Sequence, residues 1–558
     1  MKDGVRRALV LLLLLTPGLV GMAAPGPRAV TTTLASAPRP ERCFAETGRC
    51  VRGLFYAYWS DHGALERQGY PITDEFDEAD SATGQTHRVQ YFERARFEYH
   101  QEQVNTPYVV LLGALGRQEF AARYPQGPPP MSTPGEGNAC FTQTGRCLQG
   151  AFRDYWERTG GLAQHGYPLS DEFTERSSSD GEGYRVQYFE RARFEYHPEF
   201  AGTPSAVLLG LIGAHQFTGR YPRGQPAAQT GPAINVWAAT SGAISPALAA
   251  IPPRVYVPDE SRGDIAVIDP RTFQIIDRYP SGATAHHVGP GPDFSKLYVN
   301  NMGSNTLLEI DARNGKPLRT IDAAAPYNLY FTTDGSKAIV AVEPDNRLDF
   351  YDPVTWRLLK SLPMGCNGVD HLDMSADGTD LLLSCEFDGQ VIKVDTTQMA
   401  IVGRAALGGL PVDVKLSPDG SVFYVANQGR HGVSIVDPIA MREIGFLPTG
   451  QGAHGMAISR DTASLYVTNR LAGTIAVIDF ATGTIGATWY IGGSPDMVQV
   501  SPDGAQLWTS GRFAGAVYVV DTRTGQLMQT IRTGTAPHGL AYFPQPGRIS
   551  LGHNGVYR

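Results

Sequence analysis

The chain lacks most of the features that would identify its chemistry at a glance. It has no Lys/Arg-rich block, and 47 basic against 55 acidic residues leave a formal net charge of −8, which sets nucleic acid aside as a partner. No Gly-x-Ser-x-Gly elbow lies on a strand–helix turn, so a hydrolase nucleophile of that kind is not expected. Cys-x-x-Cys-His is missing, which excludes covalent c-type haem, and neither a P-loop nor a dinucleotide fingerprint occurs. Asp-rich calcium loops are also absent. Beyond the first 24 residues no apolar run is long enough to span a bilayer. Cysteine is sparse, at six in 558 residues.

What the chain has is turn formers and repeats. Its 63 glycines and 40 prolines suit many short strands better than long helices, and its length calls for three or more domains. Residues 1–24 read as a secretory signal: Lys2, Arg6 and Arg7 precede an apolar stretch from Ala8 to Val20, and small residues follow at Gly21, Ala23 and Ala24. The expected location is therefore extracytoplasmic, secreted or cell-surface associated, with no transmembrane anchor once the signal is cleaved. The cysteines agree with an oxidising compartment. Cys43 and Cys50 sit in CFAETGRC, Cys140 and Cys147 in CFTQTGRC, and two small disulfide loops are expected. Cys366 and Cys385 fall at one end of a later repeat and read either as a third disulfide or as thiolate ligands.

The first repeat is a duplicated module, residues 41–124 and 138–222. RVQYFERARFEYH occurs identically at residues 88–100 and 185–197. Each copy also carries a segment ending in Tyr-Trp (Tyr58-Trp59, Tyr155-Trp156), a Gly-Tyr-Pro-x-x-Asp-Glu-Phe stretch (69–76, 166–173) and Val-Leu-Leu-Gly (110–113, 207–210). The pattern predicts short amphipathic helices and a hairpin, an α+β unit near the size where a disulfide helps a modest core. The Gly-Tyr-Pro-x-x-Asp-Glu-Phe segment with its Gln-Tyr-Phe-Glu-Arg hairpin resembles the LGFP-type repeat of bacterial surface proteins. That resemblance implies envelope attachment, with a glycan or surface protein as partner. Trp59, Tyr70, Phe92 and Phe97 read either as sugar-stacking platforms or as core. Residues 223–253, rich in Ala, Pro, Gly and Ser, read as a linker.

The second repeat runs from 254 to 558 with a period near 42 residues. An apolar strand ending in Asp recurs at Asp269, Asp311, Asp352, Asp395, Asp437, Asp479 and Asp521. Four short strands per unit is the arithmetic of a β-propeller. Seven markers predict seven blades, and LAYF at Leu540–Phe543 is expected to complete the blade begun at residue 254. The fold class is thus mainly β, a seven-bladed propeller behind two α+β modules. The marker Asp, present in every unit, reads as a turn cap. LYVTN at Leu465–Asn469 and the SPDG turns resemble the YVTN-family propellers of bacterial and archaeal surface proteins, a likeness that implies fold rather than function.

In a propeller the loops entering each first strand and leaving each second strand share one face. Aligned by the repeat, the inner row is His286, Tyr327, Asp370, Val412, His454, Asp496 and His538, with His287, Asn328, His371 and Asp413 adjacent. The outer row is Asp259, Asn301, Glu343, Glu386, Asn427, Asn469 and Gly511. The tail after residue 545 has no place in the repeat, though it puts His553 in the same register. Imidazoles and carboxylates around one channel suit a divalent metal or another cofactor, or acid–base work; they equally suit hydrogen bonds between neighbouring blades. Two functions follow: a surface-held binding scaffold, or a metal- or cofactor-dependent hydrolase, lyase or oxidoreductase component acting at this mouth.

Overall fold

The computed structural model describes residues 40–80, 84–127, 139–176, 181–226 and 234–558. The signal read at residues 1–24 lies outside the described residues. Among the described residues no helix is long and apolar enough to cross a membrane.

Strands buried on both faces, such as Ala285–Pro290, Val369–Met374 and Pro411–Leu416, build the C-terminal half into seven four-stranded antiparallel sheets. In the sheet that joins the two ends of this region, Ala541–Phe543 pairs with Arg254–Asp259, followed outward by Asp264–Asp269 and Gln274–Pro280. One strand from the end of the chain therefore completes three from the beginning, as the repeat predicts. Neighbouring sheets pack through apolar faces, for example Met456, Leu465 and Val467 against Val433 and Ile435. The recurring Asp caps its turn: Asp352 Oδ1 accepts from the backbone N–H of Val354 and Thr355, and Asp521 Oδ1 from Arg523 and Thr524. Disulfides join Cys43–Cys50, Cys140–Cys147 and Cys366–Cys385, so the thiolate-ligand reading of the last pair is set aside.

Each N-terminal repeat forms a four-stranded sheet and a small two-stranded one. Helices Gly53–Asp61 and Gly150–Arg158 and the hairpin Thr86–Tyr91/Arg96–Tyr99 lie where the pattern puts them. Trp59, Phe92 and Phe97 are buried and Tyr70 is half-buried; the first three are core. What the duplication conceals is an exchange. Helix Leu115–Arg123 of the first repeat packs on the second, with Phe120 and Tyr124 against Phe173 and Tyr188. Helix Ile212–Arg220 of the second returns the contact, with Phe217 and the following Tyr221 against Phe76 and Tyr91. Tyr124 Oη donates to Glu175 (2.8 Å) and Tyr221 Oη to Glu78 (2.9 Å). Gly116 and Gly213 are needed here, because a Cβ at either would collide with the carbonyl oxygen of Phe189 or Phe92.

The stretch read as a linker is partly docked. Val236 and Trp237 are buried, and Trp237 Nε1 donates to the Leu416 carbonyl (3.0 Å). The first repeat rests on the same end of the propeller, where Asn105 N–H donates to Ala376 O (2.8 Å) and Leu54, Phe55 and Phe97 share one apolar cluster with Leu416 and Phe423. The residues after 545 plug the central channel from this end. They form a narrow loop in which Arg548 and Ile549 N–H donate to Arg558 O, and Leu551 N–H to Val556 O. Arg558 is buried against Asp373 (2.6 Å) and lies over the Trp237 ring. The tip of the loop, His553–Gly555, reaches up the channel to Asn328.

Candidate functional site

The first strands begin, and the second strands end, at the end of the channel opposite that plug. The backbone there is built to aim side chains inward. In five sheets the ladder between first and second strands is interrupted at one place: between Ala285 and Val288, Val369 and Leu372, Pro411 and Val414, Ala453 and Met456, and Pro495 and Val498. Each irregularity frees two consecutive residues from pairing and re-aims them. Those residues are His286-His287, Asp370-His371, Val412-Asp413, His454-Gly455 and Asp496-Met497. Hydroxyls near the ends of the second strands hold the bulges. Thr468 Oγ1 accepts from Gly455 N–H (2.8 Å) and donates to Asp496 O in the next sheet (2.5 Å). Ser384 does the same between His371 and Val412 O, and Ser510 between Met497 and His538 O. The Thr of the LYVTN segment is thus a stitch between neighbouring sheets.

Three layers result. The outermost is half-buried and contains Glu260, Glu343, Glu386, Gln428 and Arg512, with Arg470 buried. The middle layer holds His286, Tyr327, Asp370, His454, Asp496 and His538. His286 and His538 stack at 4.1 Å, and His286 lies 4.3 Å from Tyr327, ring centre to ring centre. His454 Nδ1 and His538 Nδ1 approach the two Asp496 oxygens at 2.8 and 3.0 Å. Arg470 also grips Asp496, at 3.1 Å through Nε, and its Nη2 touches His454 Nε2. His286 Nε2 faces Glu260 Oε1 at 3.1 Å, and Arg512 donates to Glu260 Oε2 at 2.7 Å. The deepest layer is His287, Asn328, His371 and Asp413, joined from below by His553 and Asn554 of the tail.

The inner row of the sequence alignment is therefore brought together as expected, and His553 joins it through the plug. The outer row needs a correction of one residue. Asp259 is not at the mouth: its carboxylate accepts from the N–H of Ser261, Arg262, Thr535 and Ala536 and ties the closing sheet to its neighbour. Asn301 and Asn469 likewise bind the loops beside them. Only Glu343 and Glu386, already one position past their strands, belong to the mouth row. The true ring is Glu260, Met302, Glu343, Glu386, Gln428, Arg470 and Arg512. Its spacing matches that of the marker Asp residues, a signal that would have found Glu260, Arg470 and Arg512.

Electrostatics divide this mouth. Burial is the largest influence on every group. It raises the Asp370 and Glu386 carboxyls well above the usual range; like-charge repulsion from Asp413 adds to the shift of Asp370, and that from Asp370 to the shift of Glu386. Glu343 is raised too, by burial and then by Asp370. On the other side burial is overcome: the hydrogen bond from His286 and the nearby His538 and Arg512 hold Glu260 at about 2. Arg470 and His454 hold Asp496 far below its ordinary value. Burial keeps His287, His371, His454, His538 and His553 neutral near pH 7 by lowering their pKa values. Many polar atoms here are buried without a hydrogen-bond partner, among them both Asp370 oxygens, His287 Nε2, His371 Nε2 and His538 Nε2. Native proteins rarely leave such groups unpaired away from functional sites. Around the rim Phe387, Leu471 and Phe513 are exposed; each directly follows a member of the charged ring.

Comparison with curated proteins finds no match. Similar solved structures include a functionally unknown protein from Desulfotomaculum acetoxidans, 17% identical over 52% of this chain and 98% of that one, with a TM-score of 0.47. Others are a putative 6-phosphogluconolactonase from Bacteroides uniformis (16%, 52% and 99%, TM-score 0.44) and Kuenenia stuttgartiensis hydrazine synthase (17%, 45% and 87%, TM-score 0.41). One family model, that of the YNCE-like β-propeller, matches residues 227–546. Since that match covers more than half of the chain, and the sheets, the shared channel and the closing strand all lie within it, the protein belongs to the YNCE-like β-propeller family.

Proposed function

We propose that this protein is a secreted or surface-held binding protein with a seven-bladed propeller, and that its mouth receives a small ligand bearing both a positive and a negative group. The observation that carries this reading is the division of acidic from basic side chains around one opening. Glu343, Glu386 and Asp370 lie on one side, and Arg470 and Arg512 on the other. A concave site with a few convergent polar groups and shifted pKa values is the form small-ligand sites take. The rim of Phe387, Leu471 and Phe513 adds apolar contact for the body of the ligand. The two N-terminal repeats would serve envelope attachment. Their packing on the plugged end supports this, because it leaves the mouth facing away from whatever they hold.

The test is a thermal-shift and calorimetric screen of the full chain against α-amino acids, small betaines and dicarboxylates. Binding of a zwitterion that weakens about tenfold or more in both R512Q and E386Q supports the reading. Affinity for none of the panel, or affinity indifferent to both substitutions, counts against it. A second reading rests on the neutral imidazole of His538, whose Nε2 has no hydrogen-bond partner, in the same mouth as the Asp370 and Glu386 carboxyls, which hold protons near neutrality. This arrangement suits a general base and acid, and an enzyme at the same mouth would show turnover of the bound compound.

A further inference from the structure

The deepest layer of the mouth holds a feature that charge recognition does not use. His287 and His371 come from the first strands of the two sheets that flank the one carrying Asn328, and His553 from the tail. All three are buried. Their ring centres are 4.5 Å apart for His287–His553 and His371–His553 and 5.3 Å for His287–His371. One donor nitrogen from each lies within 4.8 Å of the other two.

The surroundings of the rings decide what they can do. His287 Nδ1 faces Asn554 Oδ1 at 3.0 Å, and His553 Nδ1 faces Asn328 Oδ1 at 2.7 Å. His371 Nδ1 is 2.5 Å from Asp370 Oδ1, although the two are out of line for a hydrogen bond. Each ring thus has an oxygen on its Nδ1 side, which favours the proton there and leaves the Nε2 lone pair available. An imidazole whose other nitrogen is held by a carbonyl or carboxylate oxygen is the usual form of a metal ligand. Nε2 of His287 and of His371 has no hydrogen-bond partner, and His553 Nε2 is met only by the amide of the adjacent Asn554 at 3.0 Å. The overlapping trio His286, His287 and His538 is less free, because His286 Nε2 already faces Glu260 and its Nδ1 lies 3.4 Å from Tyr327 O. A cavity lined by Asp413, Lys415, Met456 and Gln499 lies beside His553.

We propose that His287, His371 and His553 form a three-imidazole site for a divalent transition-metal ion, with the third ligand delivered by the C-terminal tail. Three neutral nitrogens suit the zinc, cobalt, nickel and copper(II) class rather than calcium or magnesium. A three-histidine set leaves a coordination position for water or for a donor atom of a molecule in the mouth. Asn328, Asp370 and Asn554 are positioning residues that orient the rings. The proposal does not depend on the charged mouth binding a zwitterion, and its readout is separate.

The experiment is titration of the full, chelator-treated protein with Co2+, read by elemental stoichiometry after gel filtration and by the visible absorption of bound cobalt. One Co2+ per chain, displaced by Zn2+, is expected. Affinity should fall by more than about tenfold in H371Q and H553Q, by about 10–100-fold in N328A, and not at all in the exposed control H215A. Far-ultraviolet circular dichroism confirms that each variant is folded, and if H553Q unseats the tail, H371Q decides. Absence of bound Co2+ in the wild type, or equal binding by wild type and H371Q, overturns the site.

Discussion

His165 stands where the first repeat carries Gln68, and the difference has a measurable consequence. The imidazole is fully buried among Tyr155, Phe189 and Phe194, with Thr159 Oγ1 at 2.7 Å from Nε2. Burial, followed by the charges of Arg67 and Arg191, lowers its pKa to about 3. The unfolded chain therefore binds a proton that the folded chain refuses. Stability from this residue is complete above the unfolded value near 6.5 and declines as pH falls toward 3, by at most about 1.4 kcal/mol per pH unit. H165Q, which restores the residue of the sister repeat, should flatten the acid limb of a urea-denaturation series between pH 6 and 4. An unchanged slope would mean that the ring accepts its proton in the folded state. At this scale the sequence was readable where position in the repeat was unambiguous. The inner row was found whole, whereas the outer row slipped by one because residues ending a strand were aligned with residues just past one. The hydrogen bonds of Asp259, Asn301 and Asn469 reveal the slip, and the spacing of the marker Asp residues, applied strictly, would have avoided it.

At the scale of elements, exchange between the two repeats was invisible to sequence. The copies are so alike that helix Leu115–Arg123 fits the sheet of either, and no residue pattern states which it chooses. Reciprocity makes the choice costly to disturb. Each buried glutamate receives an arginine from its own sheet and one from the visiting helix: Glu78 from Arg96 and Arg220, Glu175 from Arg193 and Arg123. Gly116 and Gly213 let each visiting helix touch backbone. G213A should destabilise the N-terminal unit by roughly 2–3 kcal/mol, the usual penalty of overpacking, while G219A, on the same helix with open space about its Cα, should be neutral or slightly stabilising. Differential scanning calorimetry reads the contrast; equal effects would show that the close approach is not maintained.

Over the whole molecule, one end of the channel is sealed three times. The tail fills it, Trp237 covers it, and the first repeat rests on the turns around it. The 42-residue period could not foresee this, since neither tail nor cover takes part in the repeat. Deleting residues 546–558 removes the buried Leu551 and Tyr557 and leaves Asp373 without Arg558. Burial of the two side chains alone contributes about 1.5–3 kcal/mol each. The truncated protein should therefore lose more than about 3 kcal/mol by urea denaturation; a smaller loss would show that the plug is incidental to the fold.

The closing sheet also sets an order of events in time. Its innermost strand, Ala541–Phe543, cannot pair with Arg254–Asp259 until all the sheets that lie between them in the chain have been made. Contacts between residues so far apart along the chain form slowly, because a long loop must close before any of them is rewarded. Until then the sheet begun at Arg254–Asp259 keeps a bare inner edge and the apolar faces at the two ends of the open arc stay uncovered, the kinds of surface on which chains join one another. Ring closure, sealing of the channel and arrival of His553 beside His287 all depend on the same last residues. A newly made chain is thus at its most adhesive, and without a finished mouth, until the same final step ends both conditions.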